Sequence, residues 1–161
     1  MYKHILVPLD GSELAECVLP HVESIARGCG TEKVTFLRVV EPVYITMSVD
    51  PDQGYSYNAK DFQRMEDEAV AAAENYLKKL TSNLKYNDVK IEWEVVTGKA
   101  ADSIADYAEK SDTNLIAIAT HGRSGVSRWV MGSVADKVVR TSVVPVLTVR
   151  PQGLEPAPDR N

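Results

Sequence analysis

The sequence predicts an α/β domain with an open five-stranded parallel sheet and helices on both faces. Short apolar segments alternate with amphipathic ones along the chain, as strands and helices alternate in doubly wound folds. One apolar segment, Val34 to Val40, is rich in Val, Leu and Phe, which is typical of a parallel strand covered on both faces. We therefore expect right-handed crossovers between successive strands.

Length and composition indicate one folded unit. The chain has 161 residues, of which 44% are hydrophobic and 25% are charged, and these are the proportions of a globular domain. We expect one domain over residues 1–150, because the sequence contains no internal repeat. Residues 151–161 contain three prolines, one glycine and few apolar residues, and this composition predicts a disordered C-terminal tail.

Charge and cysteine usage exclude several classes of partner. The formal net charge is -5, and without a Lys/Arg cluster we do not expect nucleic acid as the main partner. No segment reaches the roughly 20 apolar residues of a membrane span, and the short apolar run after Lys3 does not form a secretory signal. Cys17 and Cys29 belong to no Cys-x-x-Cys pair, as in reduced cytosolic proteins. We therefore expect a cytoplasmic protein.

The first strand is predicted at Ile5 to Val7, followed by a turn and a helix. The turn from Asp10 to Ser12 supplies N-cap chemistry. Apolar residues then recur at three- and four-residue steps from about Ser12 to Arg27, which predicts a helix. Pro20 lies inside this segment, and because proline removes a helical hydrogen bond, we expect a kink there rather than two helices.

The middle of the chain contains a long loop before its most regular helix. Residues 41–58 carry two prolines, a glycine and three tyrosines without periodicity, and such a loop is either a mobile lid or a surface excursion. A long amphipathic helix follows, from about Phe62 to Leu80. The remaining predicted elements are an alternating edge strand at Ile91 to Val95, a helix at Ala101 to Ala108, a strand at Leu115 to Ala119, a helix at Val134 to Thr141 and a strand at Val143 to Val149.

Three loops are predicted to form a ligand site. In doubly wound sheets, ligands bind beyond the carboxyl ends of the strands, where the strand order reverses. The loops after the first, second and fourth strands can meet at that edge. They comprise residues 8–12, the chain from Val39, and residues 120–131.

The third loop has the chemistry of a phosphate site. Gly122 and Gly132 lack Cβ atoms, so backbone N–H groups can approach phosphate oxygens there, and the following helix contributes the partial positive charge of its N-terminus. Ser133 can add a hydroxyl group. A glycine-containing surface turn without a ligand is the alternative. The sequence contains neither a P-loop nor a Gly-x-Gly-x-x-Gly motif after the first strand.

These residues resemble the universal stress protein family. That family has a pattern of Gly, two residues, Gly, nine residues, Gly and then Ser or Thr, and here Ala119, Gly122 and Gly132-Ser133 occupy the same frame. The resemblance extends over nearly the whole chain, from residues 5–12 to residues 144–149. Ala119 departs from the pattern, and its methyl group narrows a pocket that is built by close backbone approach.

The resemblance implies a flavodoxin-like sheet of strand order 3-2-1-4-5 and an ATP-binding regulatory module of the stress response. ADP and AMP are alternatives to ATP, and an accompanying Mg²⁺ would be held mainly by the phosphates. Val39 would contact adenine through its backbone. The site residues implied by the resemblance are Pro8, Asp10, Val39, Ala119, His121, Gly122, Arg123, Gly132, Ser133 and Val134.

Three of these residues are weighed further. Asp10 can equally have a structural role, as an N-cap or Asx-turn residue, or contact the nucleotide, and both roles can hold together. His121 has no adjacent nucleophile or carboxylate partner that would indicate acid-base catalysis, so we assign no catalytic residue. Arg123 can offer positive charge to the phosphates, and a solvated surface arginine is the alternative.

We expect two copies of the chain to form a homodimer by pairing through the last strand. It is an edge strand with no charge to block pairing before Arg150, and the resemblance implies dimers through this strand. The expected interface residues are Val143, Val144, Val146, Leu147 and Val149. A tail that folds back after Arg150 and covers the edge is the alternative.

Two other functions remain open. One is slow ATP hydrolysis or self-phosphorylation at Ser124, Ser127 or Ser133, although the sequence shows no convincing general base or paired-carboxylate metal site. The other is a nucleotide-free interaction protein, and the retained Gly122, Gly132 and Ser133 argue against it.

Overall fold

Strands and helices alternate along the described parts of the chain, which are residues 1–42, 59–121 and 131–151 of a computed structural model. This alternation confirms the predicted α/β class. In chain order the elements are β1 (His4–Pro8), α1 (Glu13–Glu16), α2 (Leu19–Cys29), β2 (Lys33–Val40), α3 (Ala59–Ser82), β3 (Lys90–Thr97), α4 (Ala100–Lys110), β4 (Leu115–Ala119), α5 (Ser133–Thr141) and β5 (Val146–Val149).

The five strands form one parallel sheet in the order β3-β2-β1-β4-β5, which confirms the expected order. Every residue of β1 and β4 is buried, whereas β3, at one edge, is partly exposed along its length. Strands β2 and β3 lie on one side of β1, and β4 and β5 lie on the other side. The carboxyl ends of β1 and β4 therefore open a crevice.

Two apolar cores lie on opposite faces of the sheet, as right-handed crossovers require. Helices α1, α2 and α3 cover the face on which Phe36 and Leu77 are fully buried. Helices α4 and α5 cover the other face, where Leu6 packs with Ile104 and Val138. No helix in the described ranges combines the length and apolar character needed to cross a membrane.

The predicted kink at Pro20 is wrong, because the segment forms two helices. Helix α1 ends at Glu16, and α2 begins at Leu19 with Pro20 in its first turn. Proline has no N–H group, and the first turn of a helix has no intrahelical acceptor for one, so proline is tolerated there. Helix α2 ends at Cys29, and its C-cap is Gly30, whose φ of 62° lies in the left-handed region that favours glycine.

Strand β5 is shorter than the predicted strand from Val143. Its pairing with β4 begins at Val146. Val143 and Val144, which were predicted to belong to the strand, lie before it. The Val144 N–H donates to Ser142 Oγ at 3.1 Å, and Pro145 has no N–H group to donate. The predicted loop at residues 41–58 and the predicted tail at residues 151–161 lie outside the described residues except for residues 41, 42 and 151.

His4 anchors the beginning of β1 in a buried polar cluster. Its Nδ1 lies 2.9 Å from the Ser111 carbonyl oxygen, and its Nε2 lies 2.8 Å from Thr35 Oγ1. Burial lowers the pKa of His4 below its ordinary value of 6.5, and the hydrogen bond to Ser111 opposes this shift only in part. The folded protein therefore favours the neutral imidazole.

Acidification should destabilise the protein partly through His4. Because the pKa of His4 is lower in the folded state than its ordinary value of 6.5, the unfolded chain binds more protons at this residue as the pH falls, and the free energy of unfolding decreases. His4→Gln should remove this part of the decrease. Urea denaturation of both proteins at several pH values between about 7.5 and 5.5 measures the effect, and equal pH slopes would contradict it.

Candidate functional site

A pocket opens at the carboxyl end of the sheet, where the strand order reverses between β1 and β4. It spans about 710 Å³, part of which is open solvent at its mouth. The ends of β1, β2 and β4 form its floor, and the first turns of α4 and α5 form two of its walls.

The pocket brings together residues of all three loops predicted from the sequence. Gly122 and Arg123 lie outside the described residues. The other residues implied by the resemblance all line the pocket: Pro8, Asp10, Val39, Ala119, His121, Gly132, Ser133 and Val134.

The beginning of α5 presents backbone donors to this pocket. Ser133, Val134 and Ala135 are the first three residues of the helix, so their N–H groups have no intrahelical acceptor. Within the described ranges, no other group accepts from these three amides. Since all three residues line the pocket, the helix end offers donors and partial positive charge to an anion.

Gly132 is required for a reason other than the expected one. Its own N–H donates to the Thr120 carbonyl at 2.8 Å, so this amide is not available to a phosphate as we expected. A Cβ atom at Gly132 would lie 2.9 Å from the Thr120 oxygen, a distance at which one of the two must move. The glycine therefore allows α5 to begin directly against the end of β4.

Asp10 fixes the turn after β1 and also lines the pocket. Its Oδ1 accepts hydrogen bonds from the Ser12 N–H at 2.9 Å and from the Ser12 hydroxyl at 2.6 Å, which confirms the Asx-turn interpretation. The N-cap interpretation is wrong, because Ser12 itself caps α1. Its Oγ accepts from the Ala15 N–H at 3.2 Å.

Ala119 and His121 shape the pocket at the end of β4. Ala119 is buried and in register with Val149 of β5. The side chain of His121 is only 5% exposed, and its Nδ1 lies 2.9 Å from Thr120 Oγ1. The neighbouring hydroxyl thus holds the imidazole at the pocket wall.

The end of β2 directs main-chain groups toward the pocket. In a parallel strand, the N–H and C=O of one residue point to the same neighbouring strand, and the side alternates from residue to residue. The Leu37 carbonyl accepts from Leu9 on the β1 side at 2.9 Å, and the Val40 carbonyl accepts from Gly98 on the β3 side at 3.0 Å. Val39 therefore faces β1, beyond the point where their pairing ends. Nothing in the described chain pairs with its N–H or C=O.

Sequence reasoning missed one wall of the pocket and one charged residue. Ala100 and Ile104 belong to α4, which follows the edge strand β3 and reaches the pocket only because its crossover passes back over β2 and β1. Arg38 carried a usable signal, because it is the one charged residue between Val34 and Val40. The lining residues that the resemblance did not imply are Leu9, Ala15, Leu37, Arg38, Ala100, Ile104, Ile118, Thr120 and Ala135.

Two contacts hold the first turn of α4 in the pocket wall. The Ala100 N–H donates to Glu41 Oε1 at 3.0 Å, which compensates for the missing side-chain cap at Lys99. Asp102 forms an ion pair with Lys137 of α5 at 2.7 Å. The end of β2 and the two helices are thereby connected around the pocket.

Comparison with known proteins identifies one family. The model of the universal stress protein family matches residues 1–150. The chain is similar to universal stress protein MJ0531 of Methanocaldococcus jannaschii, with 29% identity over 150 residues that cover 93% of this chain and 83% of that protein. It is also similar to universal stress protein MJ0577 of the same organism, with 27% identity over 156 residues that cover 93% and 96% of the two chains.

Solved structures share the fold. A structure of MJ0577 has a TM-score of 0.69 at 27% identity, covering 95% of this chain and 99% of that chain. A universal stress protein family protein from Arabidopsis thaliana, solved with AMP bound, has a TM-score of 0.63 at 18% identity and covers 98% and 99%. A universal stress protein in complex with cAMP has a TM-score of 0.57 at 19% identity and covers 94% and 98%.

Gly132→Ala should destabilise the protein by about 1–3 kcal/mol, because the added Cβ must displace the Thr120 carbonyl. Gly28→Ala is the matched control, since a Cβ there would meet nothing within 4 Å. In helix α2 that alanine should be neutral or stabilise the protein by up to about 1 kcal/mol. Urea denaturation measures both free energies of unfolding, and equal values for the two variants would exclude a close contact at Gly132.

Proposed function

This chain belongs to the universal stress protein family, and from that premise we propose that its pocket binds an adenine nucleotide as a regulatory module of the stress response. The observation that carries the proposal is one pocket with main-chain groups at two places: Val39 at the end of β2, and residues 133–135 at the beginning of α5. The related proteins solved with AMP and with cAMP support it.

The Val39 main chain matches adenine and not guanine. Adenine carries an acceptor, N1, beside a donor, the N6 amino group, and the N–H and C=O of one residue complement this pair. Guanine carries the reverse pair, and a site whose buried polar groups are left unpaired rejects such an analogue strongly. Leu37, Ile104 and Ile118 line the same pocket and supply apolar contact for the purine.

The beginning of α5 provides the phosphate side of the proposed site. Three successive amides and the Ser133 hydroxyl are donors for phosphate oxygens, and the helix dipole favours their negative charge. Asp10 and His121, between the two ends of the pocket, would lie beside the ribose. Gly122 and Arg123, which are outside the described residues, complete the phosphate side in this proposal.

We propose ATP as the ligand, with ADP or AMP able to occupy the same subsites and with Mg²⁺ held mainly by the phosphates. Across residues 1–42, 59–121 and 131–151, no three His, Cys, Asp or Glu side chains are grouped as metal ligands are. In this proposal the described part of the chain contributes charge and hydrogen bonds to the phosphates, which hold the metal ion.

We place this function in one domain, residues 1–150, and in the cytoplasm. Both cysteines of the chain, Cys17 and Cys29, are free and half-buried. Unpaired cysteines are typical of proteins in a reducing compartment, and this supports the cytoplasmic location.

We further propose a homodimer that pairs through β5. This strand lies at an edge of the sheet, and Val143 just before it is 74% exposed. A second copy would cover Val143 and would pair with the outer backbone groups of β5. Val146 and Leu147 are partly buried and would contact the partner, as would Val144, whereas Val149 packs in the core of its own subunit and would contribute only its main chain.

Calorimetric titration tests nucleotide binding. The folded protein should bind adenosine, AMP and ATP, and it should bind guanosine at least about 100-fold more weakly than adenosine, because guanine mismatches both Val39 groups. Absence of binding by all three adenine compounds would overturn the proposed function. Equal affinity for guanosine and adenosine would overturn the role of Val39.

Ser133→Pro should weaken phosphate binding while preserving α5. Proline suits the first position of a helix, and the ψ of 146° at Gly132 is compatible with a following proline. The lost amide should reduce the affinity for AMP and ATP by about 10- to 100-fold, with little change for adenosine. Ser133→Ala, which keeps the amide, should have a smaller effect. Equal losses for adenosine and ATP would contradict the assignment of this end to phosphate.

Val143→Glu should weaken self-association by about tenfold or more, because it places a charge in an apolar interface. Met65→Glu is the control, since Met65 is 50% exposed on α3, away from β5. Sedimentation equilibrium measures the dimer of each variant. A dimer of unchanged stability in Val143→Glu would argue against pairing through β5.

A further inference from the structure

Arg38 lies at the point where β1 and β2 stop pairing. Its Nη1 donates to the Leu9 carbonyl at 3.3 Å. The Leu9 N–H still donates across the strands to the Leu37 carbonyl at 2.9 Å. Leu9 is therefore bonded to the β2 backbone through its N–H, but to a side chain through its C=O.

The Leu9 carbonyl is the acceptor that a longer sheet would provide for Val39. In parallel pairing, the N–H of one residue bonds to the neighbouring strand, and its C=O accepts from the residue two positions further along that strand. Since Leu9 donates to Leu37, its carbonyl would accept from the Val39 N–H. That hydrogen bond is not formed, and the register with β1 ends at Leu37.

We propose that Arg38 is a positioning residue that keeps the Val39 main chain available to a purine. By bonding to the Leu9 carbonyl, the guanidinium occupies the acceptor that competes for the Val39 N–H. The inference rests on the proposed function, because Val39 is the residue that would contact adenine. It requires no contact between Arg38 and the ligand, although Arg38 also lines the pocket.

The charge of Arg38 acts on Tyr76, a residue of α3. Tyr76 of α3 donates to Glu16 Oε1 at 2.9 Å. Burial and this hydrogen bond raise the pKa of Tyr76, the charge of Asp10 adds to the shift, and the charge of Arg38 opposes it. The charges of Glu16, Asp10 and Arg38 therefore all act on the Tyr76 hydroxyl, and the guanidinium has further donors besides the one that bonds to the Leu9 carbonyl.

Amide hydrogen exchange measured by NMR tests the proposal without any ligand. In the wild-type protein, the Val39 N–H should exchange at least about 100-fold faster than the Leu37 N–H, which lies on the same side of β2 but within the paired region. Arg38→Met removes the donor and keeps an extended side chain. The Leu9 carbonyl then becomes available, and exchange at Val39 should slow by about tenfold or more.

Arg38→Lys should retain the wild-type behaviour, because an ammonium group can also donate to the carbonyl. A merely structural role would change the overall stability of each variant without changing the ratio of exchange rates between Val39 and Leu37. Arg27→Met is the control for the loss of an arginine, since Arg27 pairs with Glu23 on the surface of α2. It should leave the ratio unchanged.

Adenosine affinity provides the second readout. Arg38→Met should bind adenosine about five- to tenfold more weakly, because the ligand must first break the new bond between Val39 and Leu9. Arg38→Lys and Arg27→Met should bind adenosine as the wild-type protein does.

Slow exchange at Val39 in the ligand-free wild-type protein, equal to that at Leu37, would overturn the inference. An exchange ratio that Arg38→Met leaves unchanged would also overturn it. If Arg38→Met does not fold, Arg38→Leu carries the same measurements. If the wild-type protein binds no adenine compound, the proposed function fails, but the exchange ratios still decide whether Arg38 withholds the Leu9 carbonyl from Val39.

Discussion

The backbone pairing of β1 is the constraint on which the other features depend. This strand is buried along its whole length, so its N–H and C=O groups must be satisfied by β2 and β4. Pairing with β2 ends at Pro8, and the chain then turns away through Asp10, while β2 continues to Val40. The difference in length leaves main-chain groups of β2 facing a space that no strand fills. The pocket is therefore a consequence of where the sheet ends.

The sheet could be predicted because its signals are local. The apolar runs of β1 and β4 and the alternation in β3 each indicate a strand without reference to the rest of the chain. The break before α2 could not be predicted in this way. Proline is disfavoured in the middle of a regular helix, but its presence in a sequence does not indicate whether the helix kinks or ends and a second helix begins. Val18, which lies between α1 and α2 and is fully buried, shows that packing against the core accompanies the restart.

The candidate site could be predicted where it is built from loops that follow strands. Asp10, Val39 and His121 lie at strand ends, and the fold class alone brings such ends together. The contribution of α4 depends on a crossover that returns over two strands. The contact between Gly132 and Thr120 depends on an interatomic distance, which no spacing of glycines in a sequence reveals.

The hydrogen bond from the Gly132 N–H to the Thr120 carbonyl joins the two ends of the intervening chain. Once the ends of such a segment are tied, lengthening it has a small thermodynamic effect, because each doubling of length costs only about 0.6 kcal/mol of closure entropy. The beginning of α5 can therefore keep its place against the end of β4 when the length of that segment changes.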